Sequence, residues 1–184
     1  MAATQTTQST AVPAGASPVG AVRARWAWTA PEVWTERMLT ALDVGVRGGR
    51  WYTLMDKVYA LPTLRAAFAR VKVNRGAAGV DHVTGAMYEA RLDANLTALS
   101  AALRDGTYRP QAIRRHWIPK GPRERRPLGI PTVQDRVVQT ALRLVLEPIF
   151  EVTFATHSYG FRPRRGAKDA LRRVNALLRA GYSH

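Results

Sequence analysis

Apolar positions recur at helical spacing over much of the chain and alternate differently in its middle. Leu64, Ala67, Phe68 and Val71 keep that spacing until Asn74-Arg75-Gly76 interrupts it. Leu92, Leu96, Leu99 and Leu103 do the same on a second helix that ends at Asp105-Gly106. Upstream, Trp34 to Tyr59 reads as helical pieces broken at Gly45 and at Gly48-Gly49, and Gly79-Val80-Asp81 reads as a loop. Ile113 to Pro119 and Pro127 to Pro131 are short extended runs around the polar stretch Gly121 to Arg125, which predicts a β-hairpin with a charged tip. Thr132 then caps a helix in the manner of a capping box, with Asp135 where Glu is usual. Its buried side is expected to be Val137, Val138, Ala141, Leu142 and Val145, with Pro148 barring continuation. A last helix runs from about Gly166 to Ala180. The fold class is therefore α+β, mostly α, with one small antiparallel hairpin.

Composition narrows the setting. Residues 1–20 carry no charged side chain and are rich in Ala, Thr, Gln, Ser, Pro and Gly, a tail expected to stay disordered. The remainder fits a chain that is 46% hydrophobic, a globular value. There is no cysteine, no signal-peptide pattern and no apolar run long enough to span a bilayer. A cytoplasmic location with no membrane partner is expected.

Charge changes the picture most. Twenty-eight Lys and Arg against thirteen Asp and Glu leave a net +15. Such an excess repels itself unless a polyanion neutralises it, and nucleic acid is the usual one, with a membrane surface the lesser alternative. Eight basic and two acidic residues fall between Arg104 and Arg126, and seven basic and one acidic between Arg162 and Arg179. On the last helix, Arg165, Lys168, Arg172 and Arg179 share one side with Asn175, away from Ala170, Val174, Leu177 and Leu178. That side is read as free of acids, hence without the usual i,i+4 pairing, and suited to phosphates. His82, His116 and His157 have no metal-site spacing, and Asp81, Asp135 and Asp169 read as caps and turn residues, so no metal is placed. Trp117, Tyr159 and Phe161 are either core residues or flat faces for a single strand.

Three segments carry a resemblance. They are Asn74 to Asp81; Gly106 to Pro110 with Arg114 to Lys120, Arg126 to Thr132 and Asp135 to Gln139; and Leu146 to Glu151 with Ser158 to Pro163. In order and spacing they resemble the first blocks of group II intron reverse transcriptase/maturases, over about Trp34 to Tyr182. After the tail (1–20), the resemblance implies an N-terminal helical extension (21–112) and the incomplete fingers of a right-hand polymerase (113–184). It further implies that Lys120 and Arg126 meet the triphosphate of an incoming dNTP. Arg75, Arg114, Arg115, Tyr159, Phe161, Arg162, Arg165, Lys168 and Arg172 are the residues expected to contact intron or template RNA, or an RNA–DNA duplex. The chemistry agrees: phosphoryl transfer uses fixed cations, and Arg grips phosphate in bidentate fashion.

The family's activity is RNA-directed DNA synthesis with Mg²⁺ held by aspartates, but these 184 residues hold no aromatic-x-Asp-Asp run. No catalytic residue and no cofactor are therefore assigned to this chain, Mg²⁺ being implied only for the full-length family enzyme. The chain is expected not to polymerise alone. The alternatives are a non-catalytic RNA-binding, splicing-assisting module or an inert remnant. After Gly160-Phe161-Arg162-Pro163 the pattern departs from the family, with Arg164 where Gly is usual and Gly166 where a capping residue is usual.

Overall fold

A computed structural model describes residues 19–45 and 53–182. Nearly all of the N-terminal tail, and the expected break at Gly48-Gly49, lie outside the described residues. The chain runs α1 (Val19–Arg25), α2 (Glu36–Val44), α3 (Met55–Val58), α4 (Leu61–Val73), α5 (Gly85–Glu89) and α6 (Leu92–Arg104). It continues as β1 (Arg114–Pro119), β2 (Arg125–Ile130), α7 (Val133–Glu151) and α8 (Ala167–Arg179). The protein is mostly helical with one two-stranded antiparallel sheet.

Local chemistry sets the helix starts. Thr35, Thr84 and Thr132 each accept a backbone N–H from three residues ahead, opening α2, α5 and α7. After α4, Arg75 turns into the left-handed region (φ 45°). Gly106 does so after α6 (φ 68°), where a side chain would be strained.

Packing centres on α4 and α7. Leu64, Ala67, Phe68 and Val71 share one buried cluster with Val137, Val138, Ala141, Leu144 and Val145. Trp26, Val33 and Trp34 from the N-terminal segment and Leu96 and Leu99 from α6 close it. The Phe68 and Tyr88 rings stack with centroids 5.6 Å apart. Each fully buried Leu or Phe stabilises by about 1.5–3 kcal/mol, so this single cluster is the main source of stability. Leu142, expected in the buried row, is only partly covered, and Leu144 takes the buried place.

Two expectations are corrected. Pro148 does not end α7, which continues through it to Glu151. A proline at this position leaves the carbonyl of Leu144 without its helical donor. The Trp34 indole Nε1–H donates to that carbonyl at 2.9 Å from outside the helix, and this is what makes an internal proline tolerable. The second correction concerns α8, whose basic side is not free of acid pairing: Arg172 meets Asp169 at 2.8 Å, three residues back. Asp169 also accepts the backbone N–H of Gly166 at 2.9 Å, which supplies a capping contact that the glycine's missing side chain cannot. No side chain of α8 is buried, and Leu171, Val174 and Leu178 stand in the open.

Candidate nucleic-acid interface

The hairpin register separates the basic residues that the sequence groups together. Arg114 pairs with Ile130, His116 with Leu128 and Ile118 with Arg126, while Arg115 pairs with Gly129, Trp117 with Pro127 and Pro119 with Arg125. Directly opposed residues share a face, and neighbours along a strand alternate. Arg114 and Arg126 therefore lie on one face, and Arg115, Trp117 and Arg125 on the other. Lys120 is next in register on the Arg126 face: its N–H donates to the carbonyl of Glu124 at 2.9 Å, closing the tip. Its Nζ lies 3.5 Å from the Glu124 carboxylate, with both side chains well exposed. Such a surface pair contributes little, so a phosphate can displace it.

The base of the hairpin is anchored by the buried Asp135. Its carboxylate accepts from the Tyr108 hydroxyl, from Gln111 N at 3.2 Å and from Thr132 Oγ1 at 2.7 Å. One side chain on α7 thus ties the segment leading into β1 to Thr132, two residues past β2. Burial first, and then the Asp135 carboxylate, push the Tyr108 phenol well above its ordinary value. Asp135 was expected only as a capping residue; its link to Tyr108 joins positions 27 apart and leaves no local pattern.

Arg75 sits in the loop after α4, exposed and with no side-chain partner among the described residues. That loop is held by Arg136, which donates to the Ala77 carbonyl at 2.7 Å. A Cβ at Gly76 would lie 2.1 Å from Arg136 Nη1, so a larger residue there would push that side chain aside. Burial lowers the Arg136 pKa, partly offset by the charge of Asp81.

The loop from α7 to α8 treats its residues unequally. Arg162 is buried, not open to a strand. Its Nη2 meets Glu151 Oε1 at 2.7 Å, and its Nε lies 3.2 Å from both carboxylate oxygens. Its Nη1 donates to the carbonyls of Ala155 at 2.8 Å and Ser158 at 3.0 Å, and the guanidinium lies over the Phe154 ring. Arg165 bonds the Thr156 and Ser158 carbonyls and lies over Tyr159, which is half-buried. Phe161 is fully exposed with φ 56°, an unusual conformation for a bulky residue. It lines a recess of about 550 Å³ with Trp28, Arg70, Arg143 and Arg164. Phe161, and Trp117 on the hairpin with half of its surface exposed, are therefore not core residues. Lys168 and Arg172 extend this set along α8.

The hairpin set, the Arg75 loop and the α7–α8 loop share no hydrogen bond or ion pair with one another among the described residues. The roles missed in the sequence belong to Glu151, Tyr108 and Arg136, which hold these groups in place. Asp81 accepts the Val83 N–H, and Asp135 and Asp169 are engaged as described. Among the described residues no group of three His, Asp or Glu side chains is placed to hold a metal ion. No helix there is long and apolar enough to cross a membrane.

No family model matches the chain. It is 37% identical over 158 residues to the protein YkfC of Escherichia coli K12, covering 84% of this chain and 37% of that protein. It is 47% identical over 74 residues to the group II intron-encoded protein LtrA of Lactococcus lactis, covering 40% of this chain and 12% of LtrA. A third relative is nuclear intron maturase 1, mitochondrial, of Arabidopsis thaliana, 44% identical over 52 residues, 28% of this chain and 7% of that protein. The chain thus spans little more than a third of the length of YkfC and less of the others. Over parts of its length the chain is homologous to group II intron-encoded proteins and intron maturases.

Proposed function

We propose that this chain is the N-terminal extension and first part of the fingers of an RNA-directed DNA polymerase/maturase, and that it binds intron or template RNA. The observation that carries the reading is the exposed hairpin face with Lys120 and Arg126 next to the charged tip and Arg114 further down. Two strands pinned at their base by Asp135 hold a Lys and an Arg on one side, where a dNTP triphosphate would need fixed cations. Arg75, Arg115, Tyr159, Phe161, Arg165, Lys168 and Arg172 are assigned to RNA. Arg162 acts through the loop it fastens, by setting the position of Phe161. The family holds its two Mg²⁺ ions with aspartates of an aromatic-x-Asp-Asp run, which these 184 residues lack, and on this reading the chain alone binds without polymerising. Relatives named as intron maturases support RNA as the partner.

The test is the affinity of the 184-residue chain for a single-stranded RNA as a function of salt. About six phosphate contacts predict a slope of log K against log salt near −4. Lys120→Ala and Arg126→Ala should each make it shallower by roughly 0.7. A flat salt dependence, or binding too weak to measure at low salt, would remove RNA as the partner.

A further inference from the structure

The back of the hairpin, opposite Lys120 and Arg126, carries chemistry that the triphosphate reading does not use. Trp117 sits mid-strand with half of its surface exposed, 50%. Across from it is Pro127, and next to that is Gly129, which has no side chain. Ile113 leans over the glycine so closely that a Cβ there would lie 2.8 Å from Ile113 Cγ2. Ile113, Trp117, Pro119 and Pro127 therefore form a flat apolar strip on an open surface, with no described residue covering it. Arg115 and Arg125 stand on either side of Trp117 along this face, and neither side chain has a partner among the described residues. The acid of the hairpin, Glu124, lies on the other face, beside Lys120.

We propose that this face is a stacking platform for an unpaired base of single-stranded RNA, with Trp117 under the base and Arg115 and Arg125 on the flanking phosphates. Indole offers a large planar face, and stacking on it tolerates any base. A strip of mixed apolar and purely cationic character complements a strand that is planar at its bases and anionic at its backbone; an uncharged protein surface would leave both arginines unanswered. Because the two faces point in opposite directions, a base on Trp117 and a triphosphate on Lys120 and Arg126 cannot compete for the same space. The hairpin would be gripped from both sides. This inference rests on the RNA-binding reading above.

The chain labelled with 5-fluorotryptophan tests it, since its five tryptophans give separable fluorine signals and Trp117→Phe identifies one of them. Single-stranded RNA of about 12 nucleotides should shift the Trp117 signal saturably, and an abasic strand of the same length should not. Trp117→Ala should weaken RNA binding roughly tenfold or more, and Trp117→Phe much less. Arg126→Ala should weaken binding yet leave the Trp117 shift in place. An unmoved Trp117 signal on a chain that binds RNA overturns the platform and leaves the RNA reading standing. A shift produced equally by the abasic strand, or by acidic phospholipid vesicles and not by RNA, also overturns it. Absence of any RNA binding overturns both readings together.

Discussion

The indole N–H of Trp34 donates to the backbone carbonyl of Leu144, 110 residues away, at 2.9 Å. Leu144 needs an outside donor because Pro148, four residues ahead, has no N–H to give it. Trp34 is fully buried, so the same side chain fills the core and completes the backbone hydrogen bonding of α7.

Trp34→Phe keeps most of the ring but strips the donor, leaving a buried carbonyl unsatisfied. Urea unfolding should show a loss of about 1–3 kcal/mol. Pro148→Ala restores a helical N–H, so in that background the loss from Trp34→Phe should shrink by about 1 kcal/mol. Equal losses in both backgrounds would mean the indole contributes by packing alone.

Arg162 is held by Glu151 in a nearly water-free setting, the two side chains being 6% and 17% exposed. Removing one partner leaves the other charge buried without compensation. Arg162→Ala should therefore destabilise by about 3 kcal/mol, measured by chemical unfolding, and Glu151→Ala by a similar amount. An unfolding midpoint equal to that of the parent chain would show that the pair does not hold the loop.

Tyr88 has a buried hydroxyl with no hydrogen-bond partner, and burial pushes its phenol up to about 12. Unfolded tyrosine titrates near about 10. Between these values the unfolded state has lost its proton and the folded state has kept it. The contribution to stability is thus complete below the unfolded value and is lost as the pH rises through the folded one. Tyr108, raised in the same direction, adds to the fall. Thermal unfolding followed across this range should show the decline, and Tyr88→Phe should flatten it. At neutral pH that substitution should be neutral or stabilising by up to about 1 kcal/mol, since it removes an unsatisfied group.

Arg164 adopts φ 58°, where a side chain crowds its own backbone. Glycine fits this conformation without strain, so Arg164→Gly should raise stability by about 0.5–1 kcal/mol. A lower melting temperature in the variant would place the stabilising role of the Arg164 side chain above the strain.

On α8, Lys168 has no partner among the described residues, whereas Arg172 is paired with Asp169 at 2.8 Å. If both contact phosphate, Lys168→Ala should take about 0.7 off the salt slope of RNA binding. Arg172→Ala should take less, because Asp169 already neutralises part of its charge. The reverse order would show that RNA displaces Asp169 on binding.

Much of this architecture was legible along the chain. Helical spacing at Leu64, Ala67, Phe68 and Val71, the stop at Asn74, and the cap at Thr132 are local properties, decided by contacts within a few residues. The hairpin between Ile113 and Pro131 was legible for the same reason. So was the cationic character of the surface, because charge is a sum over the sequence. Most of what failed depends on a distant partner, the Arg172–Asp169 pair within α8 being a local exception. The expectation that Pro148 ends α7 followed a correct local rule, and Trp34, supplied by the fold, overrode it. By sequence Arg162 reads as open to a strand, and the Glu151 carboxylate, eleven residues back, encloses it instead.

The sequence by itself determined the longer helices and the hairpin, the net charge and the relationship to intron-encoded proteins, since each is carried by residue order. Only the tertiary structure decided which arginines are open and which are internal anchors, and which hairpin face each side chain occupies. Burial and register are set by what packs across the core and across the strands, and that is not written in any one segment.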